Sequence, residues 1–247
     1  MVLVCDIGNT NITIGVFKRS RLIFKAKVST DKYKQLCRLP ELKKFSRIEA
    51  AVICSVVPKI NRAVEKELEA IFSKPIYILG KNPSVPIINL YAKPRQVGQD
   101  RLVNAYAGVE LYGAPLVVVD FGTAVTFDVV SKNKEYLGGM ILPGLEMSLE
   151  ALAKKTALLP KIKLEKPKGL IGRDTKSSML NGIVYGFAAL TDDLALRIKE
   201  KIGKDTLVVG TGGNIGLIGR YCKRIDKIDE NLTLKGLNMI YVQTKMR

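Results

Sequence analysis

The chain contains no histidine. Ser-His and Cys-His catalysis are thereby excluded, as are histidine-ligated metals, and proton transfer must fall to Asp, Glu, Lys, Tyr or Cys. Cysteine is scarce: Cys5, Cys37, Cys54 and Cys222 show no CxxC spacing, and three of them lie in apolar or helical patterns. Such thiols suit a reducing compartment, and neither zinc nor a disulfide framework is expected. No apolar run reaches the roughly 18–20 residues of a membrane span, so no membrane partner is expected. The N-terminus is apolar but lacks a basic start and meets Asp6 at once, unlike a signal peptide; the expected location is the cytoplasm. There is no P-loop sequence, and "GTGGNIGLIG" (210–219) lacks the glycine spacing of a dinucleotide fold.

Positive charge, by contrast, is plentiful. The formal net charge is +17, with 40 Lys and Arg against 23 Asp and Glu. These basic residues are scattered along the chain, and aromatics, at 6%, do not interleave with them as a nucleic-acid stripe requires. A solvated basic surface that attracts small anionic ligands is the better reading, with no nucleic-acid partner. The 247 residues, 47% hydrophobic, are enough for a proper core in one large or two smaller domains.

The sequence repeats itself. "VCDIGNTNITIGVF" (4–17) is matched by "VVDFGTAVTFDVV" (118–130): an apolar strand ends in Asp-x-Gly, a short polar turn follows, and an alternating strand returns. A third strand comes next in each half, over 22–28 and 136–142, followed by helical patterns over 31–44 and 145–155. Later each half has another apolar strand, "AAVICSV" before a helix over 61–72, and "TLVVGTGGN" before an apolar pattern over 215–221. Strand–strand–strand–helix–strand–helix, twice, implies two α/β lobes, 1–112 and 113–247, divided near "YGAP" where glycine and proline stop a helix. Ligands in such folds gather at the carboxyl ends of strands, so both Asp-x-Gly turns are expected to face one cleft.

One Asp-Gly turn is ordinary, since Asp and Gly are turn residues. Two at matching points suggest a phosphate site: Gly8-Asn9-Thr10 and Gly122-Thr123-Ala124 can aim N–H groups and a hydroxyl at an anion, while Asp6 and Asp120 hold cations. Asp128 has no counterpart in the first hairpin and reads as structural. In "PRQVGQDRLVNAYAG" a helix pattern starts at Leu102. Asp100 there reads as its N-cap or, beside Arg101, as a general base next to a carboxylate-recognising arginine, and spacing alone leaves both readings open. "GGMILPG" (138–144) reads as a strand exit or a wall of close backbone. Thr175 sits near a helix start.

Together, Asp6-x-Gly8-Asn9-Thr10, Gly98-x-Asp100-Arg101, Asp120-x-Gly122-Thr123-Ala124-x-Thr126-x-Asp128, Gly138-Gly139-x-Ile141-x-Pro143-Gly144 and Thr211-Gly212-Gly213-Asn214 resemble the type III pantothenate kinases, in order and over nearly the whole chain. The resemblance implies an α/β fold of the duplicated, actin-like (ribonuclease H-like) ATPase type, within the acetate and sugar kinase superfamily. It implies ATP-dependent phosphorylation of the 4'-hydroxyl of pantothenate, the first step toward coenzyme A, by a homodimer. By position, Asp6, Ile7, Gly8, Asn9, Thr10, Asn11, Ile12, Thr13 and Thr123 would bind ATP, with Asp6 also serving Mg, directly or through water. Asp120 would bind a monovalent cation, K or NH4. Tyr91, Gly98, Gln99, Asp100, Arg101 and Thr175 would bind pantothenate, Asp100 being the proton acceptor. A kinase for sugars or acyl acids shares the fold but not Gly98-x-Asp100-Arg101. A nucleotide-dependent regulator without catalysis would need no base at Asp100.

Overall fold

The computed structural model describes residues 1–45, 47–71, 74–80 and 83–245; Phe72, at the end of an expected helix, and the side chain of Cys37 lie outside the described residues. The first part of the chain forms β1 (Val2–Ile7), β2 (Asn11–Lys18), β3 (Arg21–Ser29), β4 (Ala50–Ser55), α1 (Pro58–Ile71), β5 (Ile76–Ile78), β6 (Ile88–Asn89) and α2 (Gln99–Tyr112). The second part forms β7 (Leu116–Phe121), β8 (Ala124–Val130), β9 (Glu135–Pro143), α3 (Leu145–Lys155), α4 (Thr175–Ile202), β10 (Leu207–Thr211), α5 (Ile215–Ile218), β11 (Lys227–Ile228) and α6 (Leu232–Lys245).

The strands form two sheets, of order β3-β2-β1-β4-β5 and β11-β10-β7-β8-β9-β6. Read outward from β1 and β7 the first five strands of each are the same, with two antiparallel pairings on one side and two parallel on the other. The repeat in the sequence is therefore a repeat in register. Asp6 pairs with Thr13 and Cys54, while Asp120 pairs with Thr126 and Thr211. Even the bulge recurs, between Val16 and Phe17 and between Val129 and Val130. β1 and β7 are apolar because both faces are covered: four buried residues precede each half-exposed aspartate, and one buried residue follows it.

The chain divides into two compact units: Met1–Ile87 with Lys93–Ala107 and Leu232–Arg247, and Ile88–Ala92 with Gly108–Asn231. The cut near 112 describes the repeat, whereas the compact units exchange two segments across it. α6 returns to the first unit, where Gly236 lets it approach Val103 and Ala107 of α2 closely. β6, from the first part of the chain, pairs instead with β9 in the second unit.

Four local expectations change. Residues 31–44 form 3-10 turns (Thr30–Arg38 and Leu42–Lys44), held by buried Leu36 and Leu42, although Tyr33 and Leu36 stand at a helical spacing. The helix expected from Asn61 starts at Pro58, a residue preorganised for a first turn. The 215–221 pattern gives only the short α5, ended at Gly219. α2 starts at Gln99, not Leu102, so Asp100 lies inside the first turn and is not the N-cap. Its end is as read: Gly113, at φ 89°, donates to the Val109 carbonyl at 2.9 Å.

Candidate active site

In the first unit the Asp6 turn is tightened by the Gly8 N–H, which donates to the Asn11 carbonyl at 2.9 Å. A second clamp comes from Thr30, the residue that leaves β3. Its N–H donates to the Thr10 carbonyl at 3.0 Å and its hydroxyl to the Gly8 carbonyl at 2.7 Å. Asn9 and Thr10 stay exposed, and Asp6, Gly8, Asn11 and Thr13 are half-exposed. Ile7 and Ile12 are wholly buried, so only their backbone can meet a ligand.

Asp100 belongs to the same unit. The Gly98 carbonyl accepts the Leu102 N–H at 3.4 Å, making Gly98 the residue that opens α2, with Asp100 second in the helix. One Asp100 oxygen accepts the Arg101 N–H at 2.9 Å. A Cβ on Gly98 would lie 2.4 Å from that oxygen, so glycine makes room for the carboxylate. Burial pushes the Asp100 pKa up, against the lowering effect of the Arg101 N–H and guanidinium and of its own N–H. The result is a carboxylate easier to protonate than an ordinary one, as a proton acceptor requires. Arg101 is itself buried.

Asp6 and Asp100 both act on Cys54. This thiol is wholly buried on β4, and its pKa is raised well above the ordinary value by burial first and then by the charges of Asp6 and Asp100. A neutral thiol thus lies within electrostatic reach of both acids. The sequence treated Cys54 only as a buried cysteine; its pairing with Asp6 needed the β1–β4 register.

The second unit repeats the clamp. Gly122 N–H donates to the Ala124 carbonyl at 3.1 Å, and Gly144, the residue that leaves β9, donates its N–H to the Thr123 carbonyl at 3.0 Å. A Cβ at Gly144 would stand 2.2 Å from that carbonyl oxygen, which explains a glycine in "GGMILPG". Asp120 is half-exposed, Thr123 exposed, and Gly212 (φ 95°) lies so close that a Cβ would fall 2.3 Å from an Asp120 oxygen.

Tyr91 is also placed in the second unit, and Thr175 opens α4 on its exposed side, after an Asp174–Ser177 capping box. Asp128 is wholly buried and accepts the Thr126 hydroxyl at 3.0 Å and the Tyr136 hydroxyl at 2.8 Å. No group of three or more His, Cys, Asp or Glu that could hold a metal occurs among the described residues. No helix of the described residues is long and apolar enough to cross a membrane.

Comparison with known proteins agrees with this geometry. The model of the type III pantothenate kinase family matches residues 2–197. A type III pantothenate kinase of Geotalea uraniireducens is 41% identical over 256 residues, covering 99% of both chains. Among solved structures, a Campylobacter jejuni protein described as a conserved transcriptional activator of the Baf family aligns with a TM-score of 0.66 at 19% identity, covering 99% of this chain and 100% of that one. The activator of 2-hydroxyisocaproyl-CoA dehydratase from Clostridium difficile, solved with ADPNP, aligns at 0.50 and 11% identity, covering 100% and 97%. The fold is the duplicated actin-like ATPase fold, and a kinase built on it works with Mg and ATP. The two matched aspartate turns and the helix opened by Gly98 are thus parts of a phosphotransferase: the chain belongs to the type III pantothenate kinase family, the enzymes that phosphorylate pantothenate for coenzyme A synthesis.

Proposed function

We propose that Asp100 is the general base that takes the proton from the 4'-hydroxyl of pantothenate as it attacks the γ-phosphorus of ATP. The observation that carries this is the placement of a buried carboxylate in the first turn of α2, with Gly98 making room for it; burial also raises its pKa. Phosphoryl transfer needs positioning and charge stabilisation more than covalent help, with a base to receive the acceptor's proton. Gly98, Gln99 and Arg101, with Tyr91 and Thr175, are assigned to pantothenate. Residues 6–13 and Thr123 are assigned to ATP, the turn amides serving the phosphates. Asp6 and Asp120 fit cations as single carboxylates: Asp6 holds Mg, directly or through water, and Asp120 a monovalent cation, K or NH4. When bound, these cations offset phosphate charge. The 1–112 and 113–247 halves are the two actin-like lobes, and the enzyme is a cytoplasmic homodimer.

The test is a coupled assay of ADP release across pantothenate, small sugars and acetate, with wild type and Asp100→Asn. Pantothenate alone should stimulate, and Asp100→Asn should lose about 100-fold or more in kcat. Full activity of Asp100→Asn would show that another group takes the proton. A wild type that no acceptor stimulates would favour a regulator.

A further inference from the structure

Asp128 has no counterpart in the first unit, and its position there shows what the fold itself requires. By register the matching residue is Gly15, since Val4 pairs with Gly15 as Val118 pairs with Asp128. Leu22 likewise matches Tyr136, each standing just past the shared bulge opposite Phe17 and Val130. In the first unit this corner is apolar: a Cβ on Gly15 would lie 2.9 Å from the Leu22 side chain and 3.2 Å from Leu234 of α6. In the second unit the same corner holds a wholly buried carboxylate that accepts two hydroxyls. A hairpin of this shape closes without buried charge, and burying a carboxylate is costly unless it is well bonded. Asp128 therefore serves something beyond the hairpin.

What lies next to it is Tyr91. The Tyr136 ring, held at its hydroxyl by Asp128, packs against the Tyr91 ring at a centroid distance of 6.5 Å. Gly138 on the same strand also lies against it: its φ is 123°, and a Cβ there would come within 3.2 Å of the Tyr91 ring. The backbone before Tyr91 is fixed to the same strand, with Ile88 and Asn89 paired to Glu135 and Tyr136 and the Leu90 N–H donating to the Tyr136 carbonyl at 2.9 Å. The Asn89 side chain accepts the Tyr91 N–H at 3.0 Å. Every one of these restraints converges on one half-exposed aromatic side chain.

We propose that Asp128 and Tyr136 are positioning residues: their hydrogen bond fixes the Tyr136 ring, which with Gly138 sets Tyr91 as a rigid wall of the pantothenate site. The inference rests on the assignment of Tyr91 to pantothenate. Positioned aromatics contribute by being held in one place before the ligand arrives, so loosening the wall weakens acceptor binding and leaves nucleotide binding alone.

Three variants separate the possibilities: Tyr91→Ala, Tyr136→Phe and the double variant Tyr136→Phe/Asp128→Asn, each assayed for KM of pantothenate, KM of ATP and melting temperature. Tyr136→Phe keeps the ring and deletes only the donor. It is expected to raise the pantothenate KM about 3- to 10-fold, the scale of one lost hydrogen bond, with the ATP KM unchanged. The double variant should raise the pantothenate KM no further, because the bond holding the Tyr136 ring is already gone and the other bond to Asp128 comes from Thr126, not from that ring. The chain has no tryptophan, so tyrosine dominates its near-ultraviolet absorption. Pantothenate should give a difference spectrum in wild type that shrinks in Tyr136→Phe and is lost in Tyr91→Ala. If Tyr91→Ala leaves the pantothenate KM unchanged, the assignment of Tyr91 fails and takes the proposal with it. If Tyr91→Ala raises it while Tyr136→Phe only lowers the melting temperature, Tyr91 binds pantothenate but the positioning role is refuted.

Discussion

The two aspartate turns share a frame and differ in what surrounds it. Both have an aspartate one residue from the end of a buried strand, a threonine across the hairpin, and an N–H from the residue leaving the third strand. Around the first, Thr30 adds a hydroxyl bond, Cys54 lies beside the acid, and Asp100 stands within reach of the same thiol. Around the second, Thr30 and Cys54 are matched by Gly144 and Thr211, and the backbone of Gly212 closes in on Asp120. The retained residues hold the turn in shape. The divergent ones put a buried thiol and a second acid near one turn and leave the other packed against glycine.

The comparison breaks hardest at Asp100, which has no twin. Its raised pKa means that the folded protein binds this proton more tightly than the unfolded chain does. Stability therefore falls as pH rises from the ordinary carboxylate range, near 3.9, through the folded value, and is not regained above it. Asp100→Asn removes that cost, so at pH 7 it should melt no lower than wild type by calorimetry, although turnover collapses. The acid limb of the kcat/KM profile should lie above the ordinary aspartate value.

Matched changes at the twins come next. Asp120→Asn should raise the KCl needed for half-maximal rate about tenfold, equivalent to ~1.4 kcal/mol, while Asp6→Asn should raise the Mg requirement and leave the KCl curve in place. An identical response of both variants to both salts would mean that the turns do not divide the cations between them. In urea denaturation, Gly144→Ala should cost about 1–3 kcal/mol by overpacking against the Thr123 carbonyl. Thr30→Ala at the matching clamp should cost only about 0.5–1.5 kcal/mol, one hydrogen bond.

The smallest effect is expected at Cys54→Thr, which copies Thr211. The Thr211 hydroxyl donates to the Asp229 carbonyl at 2.7 Å, and the residue matching Asp229 in the first unit is Leu79. Both donate their N–H to the neighbouring strand at 2.9 Å, to Gly210 and Ile53. A threonine at 54 has that carbonyl to bond, so the swap should cost less than about 1.5 kcal/mol. A cost well above this in denaturant titration would mean that the register match does not extend to side chains.

Much of this was legible in the sequence because strands with a strict order of apolar residues leave a pattern that can be aligned with itself. The Asp6 and Asp120 turns, the strand after each, and the stop at Gly113 could be read directly. Asp100 was legible as an acid near a helix start, but its place inside the first turn was not, because Gly98 and Gln99 carry no apolar period. Cys54, Thr30 and Tyr136 were not legible as neighbours of the site, since each depends on pairing between strands far apart in the chain. β6 is two residues long, too short for any periodicity to announce it.

α6 follows the whole of the second unit in the chain, yet it packs on β1, β2 and β4 and against α2. As a ribosome delivers the protein, the strand carrying Asp6 emerges well before α6 and waits for that helix before that face of its sheet is covered. The second unit, continuous apart from the short segment 88–92, has no such wait. Nascent chains should therefore shelter the Asp120 turn earlier than the Asp6 turn, and it is the older end of the polypeptide that depends longest on being kept from aggregation.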